Sequence, residues 1–280
     1  MTDEHAAQAA RVRSALPPNR AHVDPKEVER VVFAEVGHRD LGLALWTDAG
    51  NAATQAWRTC RQRMRARYGA RSPHGGWLTF VLFAAVLVGA FAAGVASGFR
   101  TDPTQTVGIL IALVITAAAA DLLALLVAGP RPLNWAAIRM QIAVAVTLLA
   151  ATAFQLSRPA NAATPFVLSG AAIAVAGVVV VFSVRAMKPE ERVAIDNAIN
   201  IATEQMQPEV DAIGQRLQSE VLAQLSKADQ DRIVSLRTVT LADLADEGLV
   251  FEPVPQGTPA GGVIIAAQLS TWNPHAQQGA

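Results

Sequence analysis

Cysteine occurs once in the 280 residues, at Cys60, so no intramolecular disulfide and no cysteine-built metal site can form. Histidine offers no substitute, because His5, His22, His38, His74 and His275 are scattered without metal-ligand spacing. Phosphate loop, dinucleotide fingerprint, GxSxG elbow and paired-carboxylate site are all missing, so the sequence reads as neither an enzyme nor a cofactor or metal carrier. Residues 1–20 contain no apolar run and no cleavage pattern, and no cleavable signal peptide is expected. Lysine is confined to Lys26, Lys188 and Lys227 while arginine is plentiful. With abundant Ala, Gly and Pro, that bias points to a high-GC bacterial source.

Charge is also scarce. Only 16% of residues are Asp, Glu, Lys or Arg, where a soluble domain carries about 25%. The deficit falls on residues 77–184, which hold 4 basic and 2 acidic groups. Residues 1–76 carry 12 basic and 8 acidic groups, and residues 185–280 carry 7 and 13. A formal net charge of zero thus conceals a basic front and an acidic tail, which call for different neighbours.

What fills the uncharged middle is four apolar runs, at 77–99, 106–128, 133–156 and 164–184. Each reaches the ~20 residues that a hydrocarbon core of about 30 Å requires of a helix. Trp77, Phe99, Trp135, Phe154 and Phe182 stand near the ends, where interfacial aromatics belong. The links are short, which predicts antiparallel neighbours. Cationic residues fix the orientation. Arg58, Arg61, Arg63, Arg65, Arg67 and Arg71 precede the first run, Arg131 and Arg139 flank the third, and Arg185, Lys188 and Arg192 follow the fourth. Only Arg100 and Arg158 occupy the other two links. Eleven against two predicts a bacterial cytoplasmic-membrane protein with both termini inside.

Outside the runs, 1–23 reads as a disordered lead. The region 24–76 reads as basic cytosolic helices, with Asp24 and Pro25 at the start of one and Gly37 at its end. A second helix from about Asp40 to Tyr68 follows from Leu41, Leu45, Ala49, Ala53, Trp57, Cys60 and Met64 on one face. In 185–237, Ile195, Ile199, Met206, Val210, Ile213, Leu217, Val221 and Leu225 mark a long amphipathic helix with an expected kink at Pro208. Such a stripe must be buried against a neighbouring subunit, the N-terminal helices, lipid headgroups or a partner, and Ile213, Leu217 and Val221 are its candidate interaction residues. Short helices at 228–237 and 241–247, the latter capped by Thr240, lead into 238–280, where 249–254 and 263–269 pattern as a β-hairpin. The stretch LADLADEGLVF with that hairpin resembles the end of a winged helix. Its Asp243, Asp246 and Glu247 would repel phosphates, so it suits protein contact better than DNA. The expected fold class is an all-α membrane protein with four transmembrane helices, cytosolic N-terminal helices, a C-terminal amphipathic helix and a small α/β tail.

Asp121 is the sharpest chemical feature, because a central intramembrane carboxylate costs about 2.5–3.5 kcal/mol on insertion scales. Arg139 is expected at similar depth, which offers a structural charge pair; a role for Asp121 in ion or proton passage is the alternative. Gly89, Gly94 and Gly98 lie on small-residue rows of the first run that would let helices approach closely, in a homo-oligomer or within one subunit. The arginines from Arg58 to Arg71 would attract anionic headgroups at about 1 kcal/mol each. No motif supports direct nucleic-acid binding by that cluster.

In layout the chain resembles the spread proteins of actinobacterial conjugative plasmids, small multi-pass membrane proteins that help plasmid DNA pass between hyphal compartments beside a DNA translocase. The likeness rests on the basic lead from Arg58 to Arg71, the four spans and the tail after Arg185, not on a motif. It implies an oligomeric membrane scaffold or pore component of a mobile-element or envelope machine, with a cytosolic protein such as a DNA translocase as partner. It transfers no functional residue. Two readings compete. One is a small channel or transporter built on Asp121, for which the spans offer few further polar residues beyond Thr116, Gln141 and Thr147. The other is a membrane anchor presenting the winged-helix-like tail.

Overall fold

Four helices are long and apolar enough to cross a membrane: α4 (Trp77–Ser97), α5 (Val107–Ala128), α6 (Trp135–Leu156) and α7 (Thr164–Met187). They match the four apolar runs to within three residues at each end. The structure is a computed structural model describing residues 3–16, 22–74, 76–98 and 105–273. Phe99 and Arg100, counted above as an interfacial aromatic and a link arginine, lie outside the described residues, as do 17–21 and His275. The chain divides into two units, 61–202 and 1–60 with 203–280.

Within the first unit the four spans form a bundle in which α4 packs along α5 and α6, and α7 along α5 and α6. The order around the bundle is therefore α4, α5, α7, α6. Since successive spans alternate in direction, α4 with α6 and α5 with α7 are parallel neighbours, and α5 and α6 face each other across a diagonal. The expectation that every short link joins adjacent helices is corrected here. Residues 129–134 between α5 and α6 reach roughly 20 Å when extended, more than the diagonal of a bundle with ~8–10 Å sides. Pro130 and Pro132 favour that extended form.

Lipid supplies no hydrophobic reward for helix contact, so the inward faces are lined with small residues that allow close approach. On α4 the buried residues are Leu78, Leu82, Ala85, Gly89, Ala92 and Ala96, small along all but the first turns. Large apolar side chains turn outward instead, with Phe80 72%, Phe91 68% and Leu126 70% exposed. Arg185, counted above only for its charge, is 6% exposed. It donates to Leu133 O at 2.6 Å, clasps the Asp196 carboxylate at 2.6 and 3.2 Å, and stacks 5.0 Å from the centre of the Trp135 ring. One guanidinium thus ties the end of α7 to the start of α6 and to the following helix α8 (Pro189–Asp196).

The second unit draws on both chain ends: α1 (Asp3–Ala15), α2 (Pro25–Glu35), the first two-thirds of α3 (Arg39–Tyr68), most of α9 (Ala198–Gln224), α10 (Lys227–Asp246) and α11 (Gly262–Leu269). Asp24 caps α2 as expected, accepting from Lys26 N at 3.1 Å, and Pro25 fills the first helical position. The lead is not wholly irregular. Its α1 packs on α2 and α10 with Ala9 and Val12 fully buried, two apolar positions too few to show as a pattern.

Further differences lie in the tail. The helix runs unbroken through Pro208, and the interruption falls at Asn197, between α8 and α9. Residues 227–246 form one helix, capped by Ser226, which accepts from Asp229 N at 3.1 Å. Thr240 is buried inside it and bonds back to Leu236 O at 2.8 Å. No strand pairs 249–254 with 263–269 among the described residues; Val263–Leu269 lies in α11, and Val250 makes a single parallel bridge to His22. The winged-helix likeness falls with the hairpin. Three successive β-branched residues, Val263 to Ile265, read as a strand, but all three are buried in a helix whose first turn is capped from elsewhere.

That cap is Glu29, fully buried on α2. Its carboxylate accepts from Gly261 N at 3.1 Å and Ile264 N at 2.9 Å, and closes on the Arg237 guanidinium. Arg237, 3% exposed, also donates to Pro259 O at 3.2 Å. Burial pushes the Glu29 carboxyl above its ordinary range, while Arg237 and the two backbone N–H groups work against that shift. One polar cluster therefore joins α2, α10 and α11 across 208 residues of sequence.

Candidate functional site

Polar atoms are rare inside the membrane bundle, and four of them meet at one point. Asp121 faces inward from α5 with 0% exposure, on the same side as Ala117, Ala118, Ala124 and Ala128. Gln141 faces inward from α6 at 1% exposure. Both converge on Gly177 of α7, where a Cβ would lie 2.7 Å from Gln141 Nε2 and 3.2 Å from Asp121 Oδ2. Only glycine leaves room for the pair. Gln141 is the polar side chain that faces Asp121. Even so, neither carboxyl oxygen of Asp121 and neither amide atom of Gln141 has a partner in hydrogen-bond geometry among the described residues. Each such atom costs about 1–3 kcal/mol in a dry interior.

Arg139 is not the partner of Asp121. It is exposed on α6, two residues from Gln141. Two residues turn a helix by about 200°, so the side of α6 that brings Gln141 inward sends Arg139 to the bundle surface. Depth along the helix axis does not settle the pairing; direction around the helix does.

Apolar packing closes the bundle on both sides of this node. Toward one end lie Val114, Ala117, Val144, Ala145, Ala171 and Ala174 within one buried cluster. Toward the other lie Ala124, Ala128, Leu133, Ile138 and Val181 with Leu78 and Leu82 in a second. A void of about 20 Å³ near this second cluster is lined by Leu125, Ala128, Val180, Val181 and Val184 among others. That is room for a single water. Neither Asp121 nor Gln141 lines that void, and the described residues form no polar path through the bundle.

The glycines of α4 separate by role. At Gly89 a Cβ would collide with Thr147 of α6, so this residue serves contact within the bundle. Gly98 ends α4 in the left-handed conformation, φ +66°, and lies against the Arg158 guanidinium, which donates to Ser97 O. A side chain there is excluded on both counts. Gly94 is exposed, a Cβ there would meet nothing within 4 Å, and it alone of the three lies on an outward face.

Arg58, Arg61, Arg63, Arg65 and Arg67 follow one another along α3, and Arg71 closes the short 3-10 turn Gly69–Arg71. Arg58, Arg63, Arg65 and Arg67 are exposed; Arg61 and Arg71 are half-buried. The tail stripe is consumed inside its own unit. Leu217 is 6% and Val221 3% exposed, Ile213 is half-buried, and Val221 packs with Leu45 and Phe33 around Gly261. Residues of α2 and α3, and Ile265 and Leu269 of α11 beside Gly214, pack against that stripe. Sequence reasoning missed Glu29, Arg237 and Gly177, each of which acts through residues far away in the chain. Gln141 carried a signal, as a lone amide in an apolar run, but nothing local joined it to Asp121.

Comparison with known protein families, curated proteins and solved structures returns no match.

Asp121 and Arg139 are predicted to be energetically independent. In thermal melts of the full chain in detergent, Asp121→Asn should gain about 1 kcal/mol, because a neutral amide costs less to bury than an ionisable carboxyl. Arg139→Gln should add to it within about 0.5 kcal/mol. Loss of folded protein in Asp121→Asn, restored in part by the second substitution, would instead reveal a charge pair.

Proposed function

We propose that the chain is a membrane scaffold: a four-helix anchor in a bacterial cytoplasmic membrane that holds a helical domain ready for a cytosolic partner. The observation that carries this reading is the closure of both chain ends into one unit around Glu29 and Arg237. Two arms that must meet in one domain leave an even number of spans on the same side. The excess of arginine in the Arg58–Arg71 region, at Arg131 and after α7 makes that side the cytosol. The apolar clusters on either side of Asp121 favour an anchor over a conduit.

The layout fits the resemblance to plasmid spread proteins, with a place in a mobile-element or envelope machine and a DNA translocase as the partner class. Gly94, the one open small residue among the three singled out on α4, supplies a face on which copies can meet as a homo-oligomer. The buried carboxyl of Asp121, facing Gln141 and without a partner in hydrogen-bond geometry among the described residues, is the specific feature that favours the competing reading, a proton or ion pathway.

Proteoliposomes separate the two. Under an imposed potassium diffusion potential, the scaffold reading expects proton flux no faster than in protein-free vesicles, and unaltered by Asp121→Asn. A flux that the wild type supports and Asp121→Asn abolishes would make the protein a conductor.

Orientation is open to direct test as well. Cys60 is fully buried, so its own reactivity reports packing rather than sidedness. In a Cys60→Ala background, an exposed Ala162→Cys in the α6–α7 link should react with an impermeant maleimide in intact cells. An exposed Ala223→Cys on α9 should react only after permeabilisation. The reverse pattern would invert the topology.

A further inference from the structure

Arginines are drawn together where the last residues before α4 meet the end of α5. A cavity of about 530 Å³ opens there, with Arg67, Tyr68 and Arg71 on one wall and Val127 and Arg131 on the other. The residues that matter are Arg67, Arg71, Arg131 and Val127. All belong to the membrane unit. The backbone fixes the walls. Arg71 donates to Pro132 O at 3.1 Å, which pins the 3-10 turn to the α5–α6 link. Tyr68 donates to Ala194 O at 3.3 Å and carries Arg67 5.5 Å from its ring centre.

We propose that this cavity is a specific site for one anionic phospholipid, with the headgroup phosphate between Arg71 and Arg131 and an acyl chain along the outward face of α5.

Charge complementarity comes first. Arg71 is held below its ordinary value by burial and then by the neighbouring Arg131, so two like charges are kept close in a partly dry place. The acidic side chain that acts on Arg71 is Glu191, and that carboxylate is engaged by Lys188 at 3.0 Å. A phosphodiester would relieve the repulsion with charge-assisted bonds to planar guanidinium groups.

Continuity with the lipid-facing surface comes second. Val127, on the cavity wall, is 39% exposed, and Leu126 beside it is 70% exposed. The polar half of the cavity thus runs into an apolar face, as a headgroup joined to a chain demands and a free anion does not. Basic pockets at this level between membrane helices are suited to such headgroups. The inference goes beyond the scaffold reading and survives its failure, because it concerns only how the bundle holds lipid.

Native mass spectrometry of the full chain in detergent, titrated with phosphatidylglycerol or phosphatidylcholine, tests it. One phosphatidylglycerol per chain should be retained in preference to phosphatidylcholine, and excess inorganic phosphate should not displace it. Arg71→Gln with Arg131→Gln should weaken retention about thirtyfold, from about 1 kcal/mol for each direct hydrogen-bonding cation lost from the phosphate. Arg58→Gln with Arg65→Gln removes the same charge from exposed positions outside the cavity and should leave retention nearly unchanged. If the first double variant fails to fold, exposed Arg131→Gln alone carries the comparison, with about a fivefold loss expected. Equal weakening by both double variants would reduce the site to diffuse surface attraction and overturn the proposal. Displacement by phosphate, or equal retention of phosphatidylcholine, would overturn it as well.

Discussion

Glu29 places a carboxylate where no solvent reaches, and the surrounding helices are arranged to answer the cost. Arg237 brings the compensating charge from α10, and the first turn of α11 turns two free N–H groups toward the remaining oxygen capacity. Removing one member of such a buried pair strands the other, at a cost of about 3–5 kcal/mol. The interaction therefore specifies a single arrangement of α2, α10 and α11. A chain whose two ends must meet in this way is committed to having both on one side of the membrane. The four apolar helices are an even number, which is compatible with that requirement.

The bundle contains a polar node of the opposite kind. At Asp121, Gln141 and Gly177 the polar atoms converge and stay unsatisfied among the described residues. Among the described residues, Glu29 sits in a cluster whose partners are present, and Asp121 sits in one where they are not. Completed networks hold structure, and incomplete ones are where a proton, a water or a ligand has something to do. Apolar clusters pack against the bundle interior on both sides of the node.

The membrane part was legible in the sequence because lipid imposes a one-dimensional rule: length and apolarity define a span whatever it packs against. Asp24, Pro25 and Gly37 marked α2 by equally local chemistry. Elsewhere the deciding contact was distant. Val263 to Ile265 looked like a strand because the residue that starts their helix, Glu29, lies more than two hundred positions earlier. Arg139 looked like the partner of Asp121 because depth is readable from a count, whereas azimuth depends on which neighbours α6 acquires. The diagonal placement of α5 and α6 is likewise absent from any local pattern. The stripe around Leu217 announced that something must cover it, and only the fold brings α2, α3 and α11 against it.

The scaffold reading rests on α2, α10 and α11 forming one cooperative unit closed by Glu29 and Arg237. Hydrogen exchange of the peptide covering Gly262–Leu269, in the full chain and in a Glu29→Ala, Arg237→Ala double-mutant cycle, reads it most directly. Each single substitution is predicted to strip about 3–5 kcal/mol of protection from α11, and the double variant to lose little more than either single one. Small, additive losses would contradict this, because they would show that the two chain ends fold without regard to each other.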